Sequence, residues 1–260
     1  MDELVVGDVA QPGGQVMNSA RRSAPWREIA LAVLILVFEV VVSLFFRATA
    51  NAAFRIMGWG AAQASPTIGL LLSTLPAEIF CILAVIARAR QLNGNDYYRG
   101  LAAGPIRRSR LFVVLIALHI VAIVWYGAYE LASPEYAHSL PREWHGPLIA
   151  ATTEGPFLLI GYLFQNIILA PVAEELMFRG WLWTELSRRW GAWPTGLITS
   201  FFWLMLHFGY GVNGVLHLWP AAVALSLARH YTGSVRATIA LHCMSNARIA
   251  ILNVLPFFIK

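Results

Sequence analysis

Charged residues are scarce in this sequence. Only 13% of its 260 residues are Asp, Glu, Lys or Arg, whereas 58% are hydrophobic and the mean hydropathy is +0.62. An average soluble domain carries about 25% charged residues. The composition therefore excludes an ordinary soluble domain and predicts an all-α, polytopic membrane helix bundle that contacts membrane lipid.

Cysteine is rare, and several catalytic motifs are missing. Cys81 and Cys243 each lie in an apolar run, which is typical of buried thiols rather than of a disulfide or a metal pair. The absence of a His-Glu-x-x-His helix, a Gly-x-Ser-x-Gly elbow and a phosphate-binding glycine loop disfavours zincins, serine hydrolases and nucleotide-driven pumps. The basic excess, 19 residues against 14, is small and comes with no recognition motif, so no nucleic-acid partner is expected.

The chain divides into a polar leader and a membrane domain. Residues 1–25 predict a disordered leader without a signal-peptide cleavage pattern, and residues 26–260 predict one integral membrane helical domain. The loop after the second apolar run is arginine-rich, whereas the loop before it has two arginines. By the positive-inside rule, we expect this loop and the N-terminus to be cytoplasmic, in a multi-pass protein of the cell (inner or plasma) membrane. The loop arginines are Arg88, Arg90, Arg99, Arg107, Arg108 and Arg110.

Eight apolar runs predict about eight transmembrane helices. Pro171 is expected to end one helix and to begin the next, because proline is tolerated in a first helical turn but not in a helix interior. The helix 171–190 either spans the membrane or lies in its interface. Spanning would return the C-terminus to the cytoplasm, as we expect, and an interfacial helix would leave it outside. The runs are 28–46, 65–87, 111–128, 155–170, 171–190, 195–208, 215–228 and 235–258.

Two adjacent carboxylates and an arginine stand out in the fifth run. Ionisable groups at membrane depth are costly unless they are paired or line a watery cavity, so they indicate a functional site. Glu175 and Arg179 have the i, i+4 spacing of a helical ion pair, and Glu174 lies about 100° round the helix from Glu175. The spacing assigns support to Glu175 and Arg179 and leaves Glu174 available for chemistry.

Two later runs contribute further polar residues. Glu174 and His207 are equally distant from the break at residues 191–194, so an antiparallel hairpin places them at the same depth. His242 and Asn246 are four residues apart and share a helical face. Glu174 and His207 can activate a water, directly or through a metal, while His242 and Asn246 donate to an oxyanion. This set suits hydrolysis of a peptide or other acyl bond, unless His242 and Asn246 only hold helices together.

Two other buried carboxylates have an ambiguous role. Glu39 lies inside the first run and Glu78 inside the second, just after Pro76. Each is either a second polar site or a contact with a neighbouring helix.

The motifs resemble those of a known family. Glu174-Glu175-x-x-x-Arg179, an aromatic residue four before His207, and His242-x-x-x-Asn246 are similar to the three motifs of the CPBP intramembrane proteases, which include CAAX prenyl proteases and bacteriocin-processing or immunity (Abi-type) proteins. The resemblance covers about residues 155–250. It departs at Trp203, where the family usually has phenylalanine.

The resemblance implies a helix bundle around a polar intramembrane cavity. In it, Glu174 and His207 would activate water, His242 and Asn246 would form the oxyanion site, and one zinc ion would have Glu174, His207 and His242 as possible ligands. The short chain looks like a bacterial member, so the expected substrate is a membrane-associated peptide or protein without a prenyl group. The alternatives are a non-catalytic scaffold or immunity protein of the same fold and a proton-coupled transporter.

Overall fold

The structure is a computed structural model that describes residues 24–58, 65–106, 108–132, 148 and 150–258. The predicted leader lies almost entirely outside the described residues. Within them, every regular element is helical, which confirms the expected all-α membrane bundle. The helices are α1 (Pro25–Ile56), α2 (Pro66–Asn93), α3 (Tyr97–Gly100), α4 (Arg108–Ala132), α5 (Pro156–Trp190), α6 (Ala192–Leu206), α7 (Gly211–Thr232) and α8 (Val235–Phe258).

Within the described residues, four helices are long and apolar enough to cross a membrane: α1, α2 with its extension to Gly100, α5, and α7 with the turn that precedes it. Helix α6 is shorter, with 15 residues, but is apolar throughout most of its length. Large apolar side chains are exposed along α1, including Leu34, Phe38 and Phe45. Because a soluble protein would bury such a face, its exposure fits a surface that faces lipid.

Helix α5 corrects one prediction. Pro171 does not begin a new helix, because residues 156–190 form a single helix and the two predicted runs 155–170 and 171–190 are one element. The turns Gln165–Leu169 and Leu176–Leu182 are π-helical. A proline ring clashes with the carbonyl four residues earlier in an α-helix, and the wider π turn just before Pro171 moves that carbonyl away. The sequence pattern alone does not reveal this accommodation.

A buried polar contact joins the first two helices to α5. Glu28 is 1% exposed and accepts hydrogen bonds from Arg88 on α2 and, at 3.0 Å, from the indole Nε1 of Trp181 on α5. The carboxylate is therefore paired with a cation, as a buried charge requires. Around it, apolar residues of α1, α2, α5 and α6 form the main core.

The last three helices complete the bundle around the second half of α5. Helix α7 packs between α4 and α6, and α8 packs against α5 and α7. Ser200 of α6 donates a hydrogen bond to the Ala222 carbonyl of α7 at 3.1 Å. The polar residues predicted from α5, α6 and α8 consequently lie on helices that contact one another.

Candidate active site

A fully buried ionic cluster forms around Glu175 and Arg179. Arg179 Nη1 donates to Glu175 Oε1 at 3.1 Å, and both side chains are 0% exposed. The same carboxylate oxygen lies 3.1 Å from His242 Nδ1, and Arg179 Nη2 donates to the Ala222 carbonyl at 3.3 Å. The predicted ion pair is thus present, and it joins α5 to α7 and α8. Glu175 also fixes the orientation of the His242 ring, a role that the spacing did not predict.

Glu174 faces away from that pair. Its side chain is 21% exposed, accepts a hydrogen bond at Oε2 from the indole Nε1 of Trp203, and lies 4.0 Å from His242 Nε2. The two adjacent glutamates therefore have different surroundings, as the helical geometry predicts. Glu175 is enclosed with a cation, whereas Glu174 lines an open cavity.

Trp203 lies at the centre of the site. It is 2% exposed, and its ring centroid is 4.4 Å from that of His207 and 5.6 Å from that of His242. The guanidinium carbon of Arg179 also lies over the indole ring, 5.4 Å from its centroid. The residue at which the sequence departs from the expected motif thus contacts each neighbouring polar group, and its N–H binds Glu174, which a phenylalanine cannot do.

His207 follows the last turn of α6 and faces the same cavity as Glu174. Its Nδ1 lies 2.9 Å from the Trp203 carbonyl oxygen. Because a carbonyl only accepts hydrogen bonds, Nδ1 carries the hydrogen and Nε2 is the nitrogen left for the cavity. Glu174 and His207 are brought together through Trp203, which contacts both. A direct hydrogen bond between the two is not among the contacts of the described residues.

Asn246 lies one turn after His242 on α8, also beside the cavity. Its Nδ2 donates to the Asn166 carbonyl of α5 at 2.9 Å. That bond uses one of two amide hydrogens, so the other remains able to donate to a bound group. Asn246 therefore serves helix packing and still has the capacity to contribute to an oxyanion site.

The cavity between these helices has a volume of about 610 Å³. It has polar lining residues that the sequence analysis did not assign to the site: Glu78, Gln165, His217 and Arg248. The sequence identifies Glu78 as a carboxylate at membrane depth without deciding its role, whereas Gln165 and His217 carry no sequence signal that separates them from ordinary helix residues. Both apolar and polar groups surround the cavity, so it can accept a chain with an amide backbone and apolar side chains.

The zinc site expected from Glu174, His207 and His242 stays a prediction. Among the described residues, no group of three or more His, Cys, Asp or Glu side chains is arranged to hold a metal ion.

A family model matches part of the chain. Residues 156–248 match the family model described as type II CAAX prenyl endopeptidase, Rce1-like. No curated protein and no solved structure matches the chain. The matched residues include Glu174, Glu175, Arg179, His207, His242 and Asn246. The resemblance inferred from the motifs is confirmed, since the segment that carries all three motifs is similar to the Rce1-like CAAX endopeptidases.

Proposed function

We propose that this protein is an intramembrane endopeptidase that hydrolyses a peptide bond of a membrane-associated protein or peptide. The observation that carries the proposal is the position of Glu174. Its carboxylate is held by the Trp203 indole, lies beside His242 and faces a cavity between membrane helices. The family match independently supports a CAAX-type hydrolase.

In the proposed mechanism, Glu174 removes a proton from a water in the cavity, and the water oxygen forms a bond to the peptide carbonyl carbon. Nε2 of His207 orients this water. The carbonyl oxygen becomes an oxyanion, which accepts hydrogen bonds from His242 Nε2, when that nitrogen is protonated, and from the second amide hydrogen of Asn246. The C–N bond then breaks as its nitrogen gains a proton, and the products are a carboxylic acid and an amine.

The apolar setting supports a membrane-associated substrate. The cavity lies between helices that are apolar enough to cross a membrane, and large apolar side chains are exposed on α1, so we expect the substrate to reach the site from the membrane. The arginines in the last turns of α2 and in the residues that follow support an orientation with this region and the N-terminus in the cytoplasm. We propose a peptide or a membrane-anchored protein as the substrate, without requiring a prenyl group.

The test is cleavage of a membrane-peptide library by purified protein in vesicles. Glu174→Gln keeps the side-chain size but removes the base, so we expect cleavage to fall by about 10²–10⁴-fold. His207→Ala should also lower the rate. Glu185→Gln is the matched control, because Glu185 lies on the same helix and pairs with Arg188 outside the cavity. Undiminished cleavage by Glu174→Gln contradicts the mechanism, and inhibition by a chelator, reversed by zinc, contradicts its metal-free form.

A non-catalytic scaffold of the same fold is the second candidate. It is favoured by the hydrogen bond from Asn246 to the Asn166 carbonyl and by the fully buried Glu175–Arg179 pair, which both join helices. A scaffold predicts that the wild-type protein cleaves nothing and that Glu174→Gln leaves partner binding unchanged. Cleavage that depends on Glu174 excludes it.

A further inference from the structure

Besides Glu174 on α5, a second carboxyl group lines the cavity, on α2. Glu78 lies on α2, outside the family-matched segment, and is 7% exposed. Its Oε1 accepts a hydrogen bond from Gln165 Nε2 at 2.6 Å. Its Oε2 is buried and has no hydrogen-bond partner among the described residues, although Glu78 borders the cavity that contains Glu174. Buried polar atoms are nearly always satisfied, so an unpartnered carboxyl oxygen on a residue that lines the cavity is unusual and indicates a role beyond helix packing.

The surroundings of Glu78 differ from those of Glu174. The hydrogen-bond partner of Glu78 is a neutral amide, and no cation forms a salt bridge with it in the part of the chain that the structure describes. The ionisable groups that act on it electrostatically, Glu39 on α1 and Glu174 on α5, are both acidic. Glu174 instead has the Trp203 N–H and the His242 ring beside it. A buried carboxyl group that has acidic neighbours and no cation is suited to carry a proton, so Glu78 can serve as a proton donor beside the cavity.

The contacts along α8 place the two carboxyl groups at different levels of the cavity. Glu174 lies beside His242, whereas Gln165, the partner of Glu78, precedes Asn166, whose carbonyl binds Asn246. His242 and Asn246 are four residues apart, which is about 6 Å along a helix axis. A peptide group whose carbonyl oxygen is bound by His242 and Asn246 therefore lies between the level of Glu174 and the level of Glu78.

We propose that Glu78 is the general acid of the reaction, with Gln165 as its positioning residue. This inference rests on the proposed endopeptidase function. Glu174 takes the proton of the attacking water, and the carboxyl O–H of Glu78 gives its proton to the departing nitrogen as the C–N bond breaks. Glu78 is left as a carboxylate and Glu174 as a carboxylic acid. Proton transfer from Glu174 to Glu78 through cavity water restores both groups.

The test compares two leaving groups. A peptide and an activated aryl ester with the same acyl part are hydrolysed by wild-type protein and by Glu78→Gln. The amine leaving group needs a proton and the aryloxide does not, so Glu78→Gln should lower peptide cleavage by about 10²-fold or more and leave ester cleavage nearly unchanged. Glu78→Asp, which keeps an acidic group, should restore part of the peptide cleavage. Equal losses on both substrates, or no loss, overturn the inference.

Two controls separate this inference from a structural effect and from the proposed function. Thr74→Val changes a polar cavity residue one turn earlier on α2, whose hydroxyl donates to the Leu70 carbonyl, and should not distinguish the peptide from the ester. If the wild-type protein cleaves neither substrate, or Glu174→Gln keeps full activity, the proposed function fails and this inference with it. If Glu174 is required but Glu78→Gln affects both substrates equally, only the role of Glu78 fails.

Discussion

The indole Nε1 of Trp203 donates a hydrogen bond to Oε2 of Glu174, and its ring lies against His207 and His242. The tryptophan thus does more than fill the space of the aromatic residue expected at this position. It fixes one carboxylate oxygen of the proposed base and leaves the other available to water. Hydrogen bonds to charged groups contribute about 1.5–3 kcal/mol, so this contact is large enough to influence catalysis.

Trp203→Phe tests that contact. Phenylalanine keeps an aromatic ring but lacks the N–H, so Glu174 loses its fixed orientation. We expect kcat/KM to fall about tenfold or more, in line with the loss of a charge-assisted hydrogen bond. Steady-state kinetics on a cleaved membrane peptide measure the change. Trp193→Phe, at an exposed tryptophan on the same helix, is the matched control and should leave kcat/KM unaltered. Unchanged kinetics in Trp203→Phe would show that the indole N–H has no part in the reaction.

The Glu175–Arg179 pair is expected to determine stability. Both side chains are 0% exposed, so Arg179→Met leaves a buried carboxylate without its cation. Breaking such a pair costs about 3–5 kcal/mol, whereas replacing both partners by apolar residues is often neutral. We expect Arg179→Met to lower the Tm in detergent strongly, and Glu175→Leu combined with Arg179→Met to recover part of the loss.

Arg188→Met provides the comparison for that experiment. Arg188 pairs with Glu185 at 2.8 Å on the same helix, and the side chain of Arg188 is 37% exposed although that of Glu185 is only 9% exposed. Because water screens a partly exposed pair, the Tm should fall much less than in Arg179→Met. Similar shifts for Arg179→Met and Arg188→Met would contradict the role given to burial.

The sequence predicts those parts of the site that depend on spacing within one helix. The i, i+4 relation of Glu175 and Arg179, and the separation of Glu174 from them, both appear in the structure because helical geometry alone determines them. The pairing of Glu78 with Gln165 joins residues 87 positions apart, and no local pattern encodes such a contact. The prediction that Pro171 begins a new helix is wrong because a π turn lets one helix pass through the proline. No local sequence pattern encodes such a turn.

Substitution of Asn246 tests whether this residue acts in catalysis or only in helix packing. Its Nδ2 bonds the Asn166 carbonyl, so Asn246→Ala removes both this bond and the proposed oxyanion donor. Loss of an oxyanion donor lowers kcat by about 10²–10³-fold, whereas loss of one packing hydrogen bond costs about 1 kcal/mol of stability. We expect the large effect on kcat together with a small decrease in Tm. A lower Tm with wild-type kcat would assign Asn246 to packing alone, and Ser245→Ala, at the neighbouring cavity residue, controls for changes in α8.

Glu28 does not line the cavity, so its substitution is expected to change the stability of the protein but not its activity. It is 1% exposed and joins Arg88 of α2 to Trp181 of α5, so Glu28→Leu removes the carboxylate from a partly exposed cation and from a buried indole N–H. We expect a loss of about 1–3 kcal/mol, read as a lower Tm, with kcat unchanged in the protein that remains folded. Asp96→Leu is the matched control, since its 3.8 Å pair with Arg99 is exposed and should contribute little. A normal Tm for Glu28→Leu would contradict the contact, while a selective fall in kcat would mean that α1 acts on the site as well as on the fold.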